Sequence, residues 1–106
     1  MRDRQTNYFD VDYGKASVAL TSTGVTIVST VEAYYHGVSF LAGTNSVTIK
    51  VFNTASGTGN MIDVIYAPAN ATGWSDKFNP VVCKNGLTVS ITGSNGTGVI
   101  FFSQKG

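Results

Sequence analysis

The 106-residue chain contains one histidine and one cysteine, the side chains that most often supply general bases and nucleophiles at neutral pH. His36 stands in the sequence Tyr-Tyr-His-Gly-Val, and strict alternation places it on one face with Tyr34, Val38 and Phe40. A histidine on such an apolar face is typical of a protein core or an interface. We therefore expect His36 to be a packing residue and not a catalytic base.

Cys83 lies beside no sequence signature of a cysteine nucleophile, and the Gly-x-Ser-x-Gly turn of serine hydrolases does not occur in the chain. A lone cysteine forms no internal disulfide and completes no zinc site. Free cysteine behaves as a small apolar side chain. The sequence thus predicts a buried structural thiol at Cys83.

Carboxylates offer two further kinds of chemistry, glycoside hydrolysis and metal binding. The chain has six, and no pair of them is singled out by its surroundings as the acid and nucleophile of a glycosidase. The segment 10–14, Asp-Val-Asp-Tyr-Gly, resembles the start of a calcium loop. That loop needs an oxygen donor at its fifth position and a carboxylate at its twelfth, but here these positions are Gly14 and Thr21. We expect no metal site, no cofactor and no enzymatic activity.

Trp74 is the side chain best suited to bind a small molecule, because an indole face can stack on a sugar ring. It lies in the longest break between predicted strands, residues 68–79. Sugar-binding surfaces usually combine two or three such rings, and the favoured interpretation is that Trp74 holds this loop against the rest of the domain. The Gly-Thr-Gly-Asn segment 57–60 connects two predicted strands. It therefore indicates a hairpin tip and not a phosphate-binding loop, which opens a helix.

The elements that must position these residues are β-strands, because apolar and polar residues alternate along most of the chain. Val47, Ile49 and Val51, for example, alternate with Thr48 and Lys50, so the two sets point to opposite faces. The pattern predicts strands at 16–21, 24–30, 32–41, 46–53, 61–67, 80–84, 87–92 and 98–103. Asn-Gly and other Gly-rich steps between them favour tight turns. Eight short strands without an amphipathic helix predict an all-β, single-domain antiparallel β-sandwich, jelly-roll-like, over residues 16–106.

Charged residues make up 12% of the chain, about half the usual share for a soluble domain, and the net charge is +1. Short uncharged side chains suit close packing against another protein, because no ion must be desolvated; a merely neutral, weakly soluble surface is the alternative. No Lys/Arg cluster could follow a phosphate backbone, and no apolar run reaches the ~20 residues of a membrane span, so we expect neither nucleic-acid nor membrane binding. The polar first seven residues lack the apolar segment of a secretion signal, which predicts synthesis in a cytoplasm.

Residues 1–15 differ from the rest of the chain. They hold six of the thirteen formal charges together with three aromatic residues, and neither strand nor helix periodicity fits them. We interpret this segment as an extended N-terminal arm that binds a partner through Arg2, Arg4, Tyr8, Phe9 and Tyr13. The alternative is a frayed terminus that folds back over its own core.

The C-terminal run 98–102 is apolar on both faces. This pattern fits a central strand covered on both sides, or an edge strand hidden by a neighbouring subunit. On the second interpretation, an oligomer interface comprises Val99, Ile100, Phe101 and Phe102.

Several motifs follow one another in a characteristic order between residues 24 and 103. They are Gly-Val-Thr-Ile, Tyr-His-Gly-Val-Ser-Phe, Ser-Val-Thr-Ile-Lys-Val-Phe-Asn-Thr before a Gly-rich tip, Met-Ile-Asp-Val-Ile, Asn-Pro-Val-Val, Lys-Asn-Gly-Leu-Thr-Val with a following Thr-Gly, and Val-Ile-Phe-Phe. In this order the chain resembles the small jelly-roll capsid decoration (cement) and head-accessory proteins of tailed bacteriophages. Residues 1–15 lie outside the resemblance.

The resemblance implies a structural protein of the virion that binds the outside of the capsid. Its partner would be the major capsid protein, and its effect would be to stabilise the shell by bridging neighbouring shell subunits, often as a homotrimer. Two alternatives stay open. One is another virion position, such as the neck, a fibre base or the tail. The other is a small carbohydrate-binding β-sandwich module, whose binding would depend on Trp74.

Overall fold

The computed structural model describes residues 16–21, 23–93 and 96–104. These residues form eight β-strands and no helix, so the described chain has no helix that could cross a membrane. The strands are β1 (Ala16–Leu20), β2 (Gly24–Ser29), β3 (Ala33–Ala42), β4 (Val47–Phe52), β5 (Met61–Ala67), β6 (Thr72–Cys83), β7 (Leu87–Gly93) and β8 (Gly96–Gln104). Each of the eight predicted strands is therefore present, and only β6 differs greatly in length from its prediction.

The strands form two four-stranded sheets, sheet A in the order β1-β8-β3-β6 and sheet B in the order β2-β7-β4-β5. All pairings are antiparallel, and the first strand pairs with the last, the second with the seventh, the third with the sixth and the fourth with the fifth. The chain is thus one long antiparallel ribbon rolled onto itself, which is the jelly-roll topology. The predicted jelly-roll sandwich is confirmed.

The core lies between the two sheets and is made by the inward positions of the alternating strands. On β4 and β7 the alternation is regular, and Ile49, Val51, Leu87 and Val89 are fully buried. Burying one such side chain contributes about 1.5–3 kcal/mol relative to leaving it exposed. The regular two-residue period of these strands thus fixes which face of sheet B turns inward.

A β-bulge in β3 changes the faces on which its residues lie. The register shifts between Tyr35 and Gly37 in the pairings of β3 with both β6 and β8. Because one extra residue reverses the alternation, Tyr35 and Val38 both point into the core, and His36 points outward. The prediction that His36 shares a face with Val38 and Phe40 is wrong for this reason.

The connection between β5 and β6 is shorter than predicted. It is a turn in which the N–H of Ala71 donates to the carbonyl of Pro68 at 3.0 Å. The predicted loop 68–79 is therefore mostly strand, because β6 begins at Thr72. The alternation did not predict the full length of β6 because the register of β6 against β3 is irregular. Residues 77–80 of β6 lie opposite a single residue of β3, between the pairs Gly37–Asp76 and Tyr35–Val81. The three extra residues, an odd number, reverse the two-residue alternation along β6.

The segment between β4 and β5, which contains the predicted hairpin tip 57–60, folds over the outer face of sheet B. The hydroxyl of Thr88 on β7 donates to the carbonyl of Thr54 at 2.6 Å. Gly57 lies so close to Val25 that a Cβ built on it would stand 2.9 Å from Cγ1 of that valine. Thr88 faces away from the core but is fully buried, because this segment covers it.

Candidate functional site

A groove of about 280 Å³ lies on the outer face of sheet A, over the bulge of β3. We call it the sheet A groove. It is lined by His36, Gly37, Ser39, Trp74, Asp76 and Phe101, with Val38 and Ser75 completing the surface. All of these residues come from the three adjacent strands β8, β3 and β6.

The groove exists because small residues on the middle strand stand between large residues on its neighbours. Gly37 on β3 pairs with Phe101 on β8 and with Asp76 on β6. Two residues farther along β3, Ser39 pairs with Val99 and Trp74. Paired residues of antiparallel strands lie on the same face. Phe101 and Trp74 therefore stand diagonally across β3, and the side chains of β3 between them are too short to fill the space.

Only glycine fits at position 37. Its φ of +151° lies outside the range that residues with a side chain readily adopt, and a Cβ would collide with the carbonyl oxygen of Ser75. Gly37 therefore allows β6 to approach β3 closely and keeps the floor of the groove low.

Trp74 lies on strand β6 and its side chain is 68% exposed. The prediction that it lies in a loop and holds that loop against the domain is wrong, because residue 74 is already inside the β6 ladder opposite Ser39. An indole this exposed contributes little to the core. It is instead the most accessible wall of the groove.

His36 forms one end of the groove and is half-buried. One of its ring nitrogens, Nε2, lies 3.0 Å from the hydroxyl oxygen of Ser103 on β8. Ser103 is itself buried, so this contact fixes the orientation of the imidazole ring. Among the described residues, no group of three or more His, Cys, Asp or Glu side chains is placed to hold a metal ion.

A second polar cluster lies inside the sandwich, at the edge where β5 and β6 meet. The hydroxyl of Tyr35 donates a 2.8 Å hydrogen bond to Oδ2 of Asp63, and the Nζ of Lys77 lies 3.6 Å from the same oxygen. Burial, and then the hydrogen bond to Asp63, raises the pKa of Tyr35 above its usual value. No sequence pattern indicated this cluster, because its members come from three strands and lie far apart in the chain.

The predicted buried thiol is confirmed. Cys83 is fully buried at the end of β6, where its Sγ lies 3.6 Å from the carbonyl oxygen of Val81. Burial raises the pKa of the thiol to about 11, so it is protonated at neutral pH. A protonated thiol without solvent access is a poor nucleophile.

The predicted oligomer-interface residues on β8 divide into two pairs. β8 is a central strand between β1 and β3, so the alternative of an edge strand is wrong. Ile100 and Phe102 point inward and belong to the core, which removes them from any interface. Val99 and Phe101 lie half-buried on the outer face of sheet A, and Phe101 lines the groove.

The outer face of sheet B carries a set of exposed apolar side chains that the sequence analysis did not single out. We call it the sheet B face and define it by Val25 and Ile27 on β2 and by Val64 and Tyr66 on β5, each more than half exposed. Along the outward positions of the four strands of sheet B, Lys50 is the one charged side chain.

The predicted capsid-binding residues Arg2, Arg4, Tyr8, Phe9 and Tyr13 lie outside the described residues.

No known protein family and no curated protein matches the sequence. Among solved structures, the chain is similar to a protein of the Bacillus endospore appendages, which are described as a novel family of disulfide-linked pili. The identity is 17%, the TM-score is 0.47, and the alignment covers 83% of this chain and 80% of the other. This is a distant similarity, and the jelly-roll assignment stands on the strand order given above.

Proposed function

We propose that the chain is a structural protein of a tailed-phage virion that binds the outside of the capsid as a homo-oligomer. Its fold is the one that the resemblance over residues 24–103 implies. The proposal rests chiefly on one observation, the apolar and almost uncharged sheet B face.

The sheet B face suits a protein partner. Val25, Ile27, Val64 and Tyr66 are each 53–61% exposed, and their neighbours Thr48 and Ser90 carry no charge. Val25 and Ile27 on one edge strand and Val64 and Tyr66 on the other lie on either side of the polar outward residues of β7 and β4. Exposed apolar side chains along both edges of one sheet face suit contact with another protein. Packing another protein here removes apolar area from water. It covers one outward-facing charged side chain of the four strands, Lys50, which lies on the inner strand β4 between Ser90 and Val64.

We assign this face to contacts between copies of the chain. Contacts to the shell are assigned to the N-terminal arm with Arg2, Arg4, Tyr8, Phe9 and Tyr13. An extended segment of 15 residues spans up to about 50 Å, enough to reach a neighbouring shell subunit. Several arms on one oligomer then act together, so that weak single contacts add up to firm binding.

The oligomer is tested by light scattering on a gel-filtration column. We expect a mass near three times 11.2 kDa for the wild type and near 11.2 kDa for Ile27→Asp and Tyr66→Asp. Thr72→Asp, at an exposed position on β6, is the matched control and is expected to keep the wild-type mass. A monomeric wild type, or an oligomer that both aspartate variants leave intact, would contradict the assignment of the sheet B face.

Shell binding is tested separately by cosedimentation with emptied capsids of the phage that encodes the chain. We expect the full chain to sediment with the capsids and the chain lacking residues 1–15 to remain in the supernatant with its circular dichroism unchanged. Isolated tails of the same phage serve as the comparison. Binding to tails in place of capsids would contradict the capsid assignment and favour the neck or tail position.

A further inference from the structure

We infer that the sheet A groove is a binding site for a single sugar ring, held between Trp74 and Phe101 and hydrogen-bonded by Asp76 and Ser39. This inference does not rest on the proposed function, because the groove and the sheet B face lie on opposite sides of the sandwich. It follows from the size of the groove, its walls and its polar end.

The size of the groove selects a small ligand. Sites for drug-sized molecules enclose about 300–1,000 Å³. At about 280 Å³ the sheet A groove falls just below that range and has room for one ring and its substituents. An extended peptide or a nucleic-acid strand would find contacts over only a small part of its length.

The two aromatic walls of the groove, Trp74 and Phe101, favour a ligand whose ring has an apolar face. β8 and β6 lie on either side of β3, two strand spacings or about 9.6 Å apart. Phe101 lies opposite Gly37 and Trp74 opposite Ser39, so the two aromatic rings stand diagonally across a slot whose floor is formed by Gly37 and Ser39. The C–H bonds on one face of a pyranose carry slight positive charge, which is attracted to the negative face of an aromatic ring.

The polar groups of the groove suit hydroxyl substituents. Asp76 is exposed on the β6 side and its carboxylate accepts two or more hydrogen bonds. At the end of the groove, the imidazole of His36 is held in place by Ser103, and Ser39 adds a hydroxyl to the floor. A site for a cationic ligand usually has a cage of aromatic rings or several carboxylates. The groove offers one carboxylate, one imidazole and one hydroxyl, a mixture of hydrogen-bonding groups that suits several sugar hydroxyls.

Trp74 is the one tryptophan of the chain, so its fluorescence reports on this groove alone. We would titrate the protein with glucose, galactose and N-acetylglucosamine, with the open-chain polyol mannitol as the control. A ligand of about a dozen non-hydrogen atoms fits a dissociation constant on the order of 1 mM. We expect a saturable change in Trp74 emission with at least one sugar and none with mannitol.

The variants Phe101→Ala and Asp76→Asn test the site. Both change outward-facing side chains, so the fold should be retained, and each is expected to weaken binding about tenfold. Tyr66→Ala, on the sheet B face, is the matched control and should bind like the wild type.

Saturation transfer from the protein to the sugar ring protons gives a second readout, expected in the wild type and lost in Trp74→Ala. The absence of both signals for all three sugars would overturn the inference. So would a fluorescence change of equal size with mannitol, or binding that neither Phe101→Ala nor Asp76→Asn weakens.

Discussion

The hydroxyl of Tyr35 on β3 donates a 2.8 Å hydrogen bond to Oδ2 of Asp63 on β5, and this contact joins sheet A to sheet B across the edge of the sandwich. Tyr35 is fully buried, so its hydroxyl has no access to bulk water. Lys77 on β6 lies 3.6 Å from the same carboxylate oxygen. The two strands at this edge, β5 and β6, are thus held together by polar contacts in addition to apolar packing.

Removing the Tyr35 hydroxyl should destabilise the fold. Tyr35→Phe keeps the ring in the core and leaves Asp63 with one hydrogen bond fewer, so we expect a loss of about 1–3 kcal/mol in the free energy of unfolding. Urea unfolding followed by circular dichroism measures it. Tyr66→Phe, which alters an exposed tyrosine, is the control and should change little. An equal effect of the two substitutions would show that the Tyr35–Asp63 bond contributes nothing of its own.

Stability should fall at alkaline pH. The pKa of Cys83 is raised to about 11 in the folded protein, whereas the pKa of an exposed thiol is about 8.5. The folded state therefore keeps this proton longer than the unfolded state does. The stabilisation is fully present below about pH 8.5 and is lost towards pH 11, at about 1.4 kcal/mol per pH unit. The raised pKa of Tyr35 acts in the same direction from about pH 10 upward.

Urea unfolding at a series of pH values between 7 and 11 checks this dependence. Cys83→Ala should show a shallower decline than the wild type between about pH 8.5 and pH 10, where Tyr35 contributes little. If the wild type and Cys83→Ala lose stability in parallel over that interval, the thiol is not responsible for the decline.

The buried thiol should react with a disulfide reagent only when the chain unfolds. Cys83 is fully buried and protonated at neutral pH. We expect less than one-tenth of the thiol to react with Ellman's reagent in native protein during the time in which urea-unfolded protein reacts completely. Rapid reaction of the native protein at pH 7 would contradict the position of Cys83 in the core.

Gly37→Ala should be more damaging than the same change at another glycine with positive φ. Gly24 has φ +122° with open space where a Cβ would stand, so Gly24→Ala measures backbone strain alone, about 1–3 kcal/mol. At Gly37 the added methyl group also collides with the Ser75 carbonyl, which forces β3 and β6 apart. We therefore expect Gly37→Ala to lower the midpoint of urea unfolding further than Gly24→Ala. Equal midpoints would mean that the strands move apart without cost.

The alternation of the sequence predicted those strands in which it runs without interruption. On β4 and β7 every second residue from Val47 to Val51 and from Leu87 to Ile91 is buried, as the pattern requires. The alternation did not predict the structure correctly where β3 pairs with β6. There a bulge at His36 and the stretch 77–80, which lies opposite that one residue, change the register, and a strict two-residue alternation predicts neither irregularity.

The sheet A groove could not be predicted from the sequence for a related reason. Trp74 was a candidate sugar contact, but its relation to Phe101 and Asp76 depends on the strand order β8-β3-β6. These residues come from strands that are adjacent in space and distant in sequence. The small outward residues Gly37 and Ser39 become a groove floor only once their large neighbours are known.

The rolled ribbon also determines when the chain can fold. Ala16 on β1 pairs with Phe102 on β8, 86 positions later in the chain, and of the four ribbon pairs only β4 and β5 form a local hairpin. During synthesis the β4–β5 hairpin is therefore the first pair that can form, and β6, β7 and β8 must then add outward in turn. Closure of β1 onto β8 has to wait until β8 has left the ribosome. Topologies dominated by such distant pairings fold in about milliseconds to seconds. Until then the apolar faces of both sheets are accessible to chaperones.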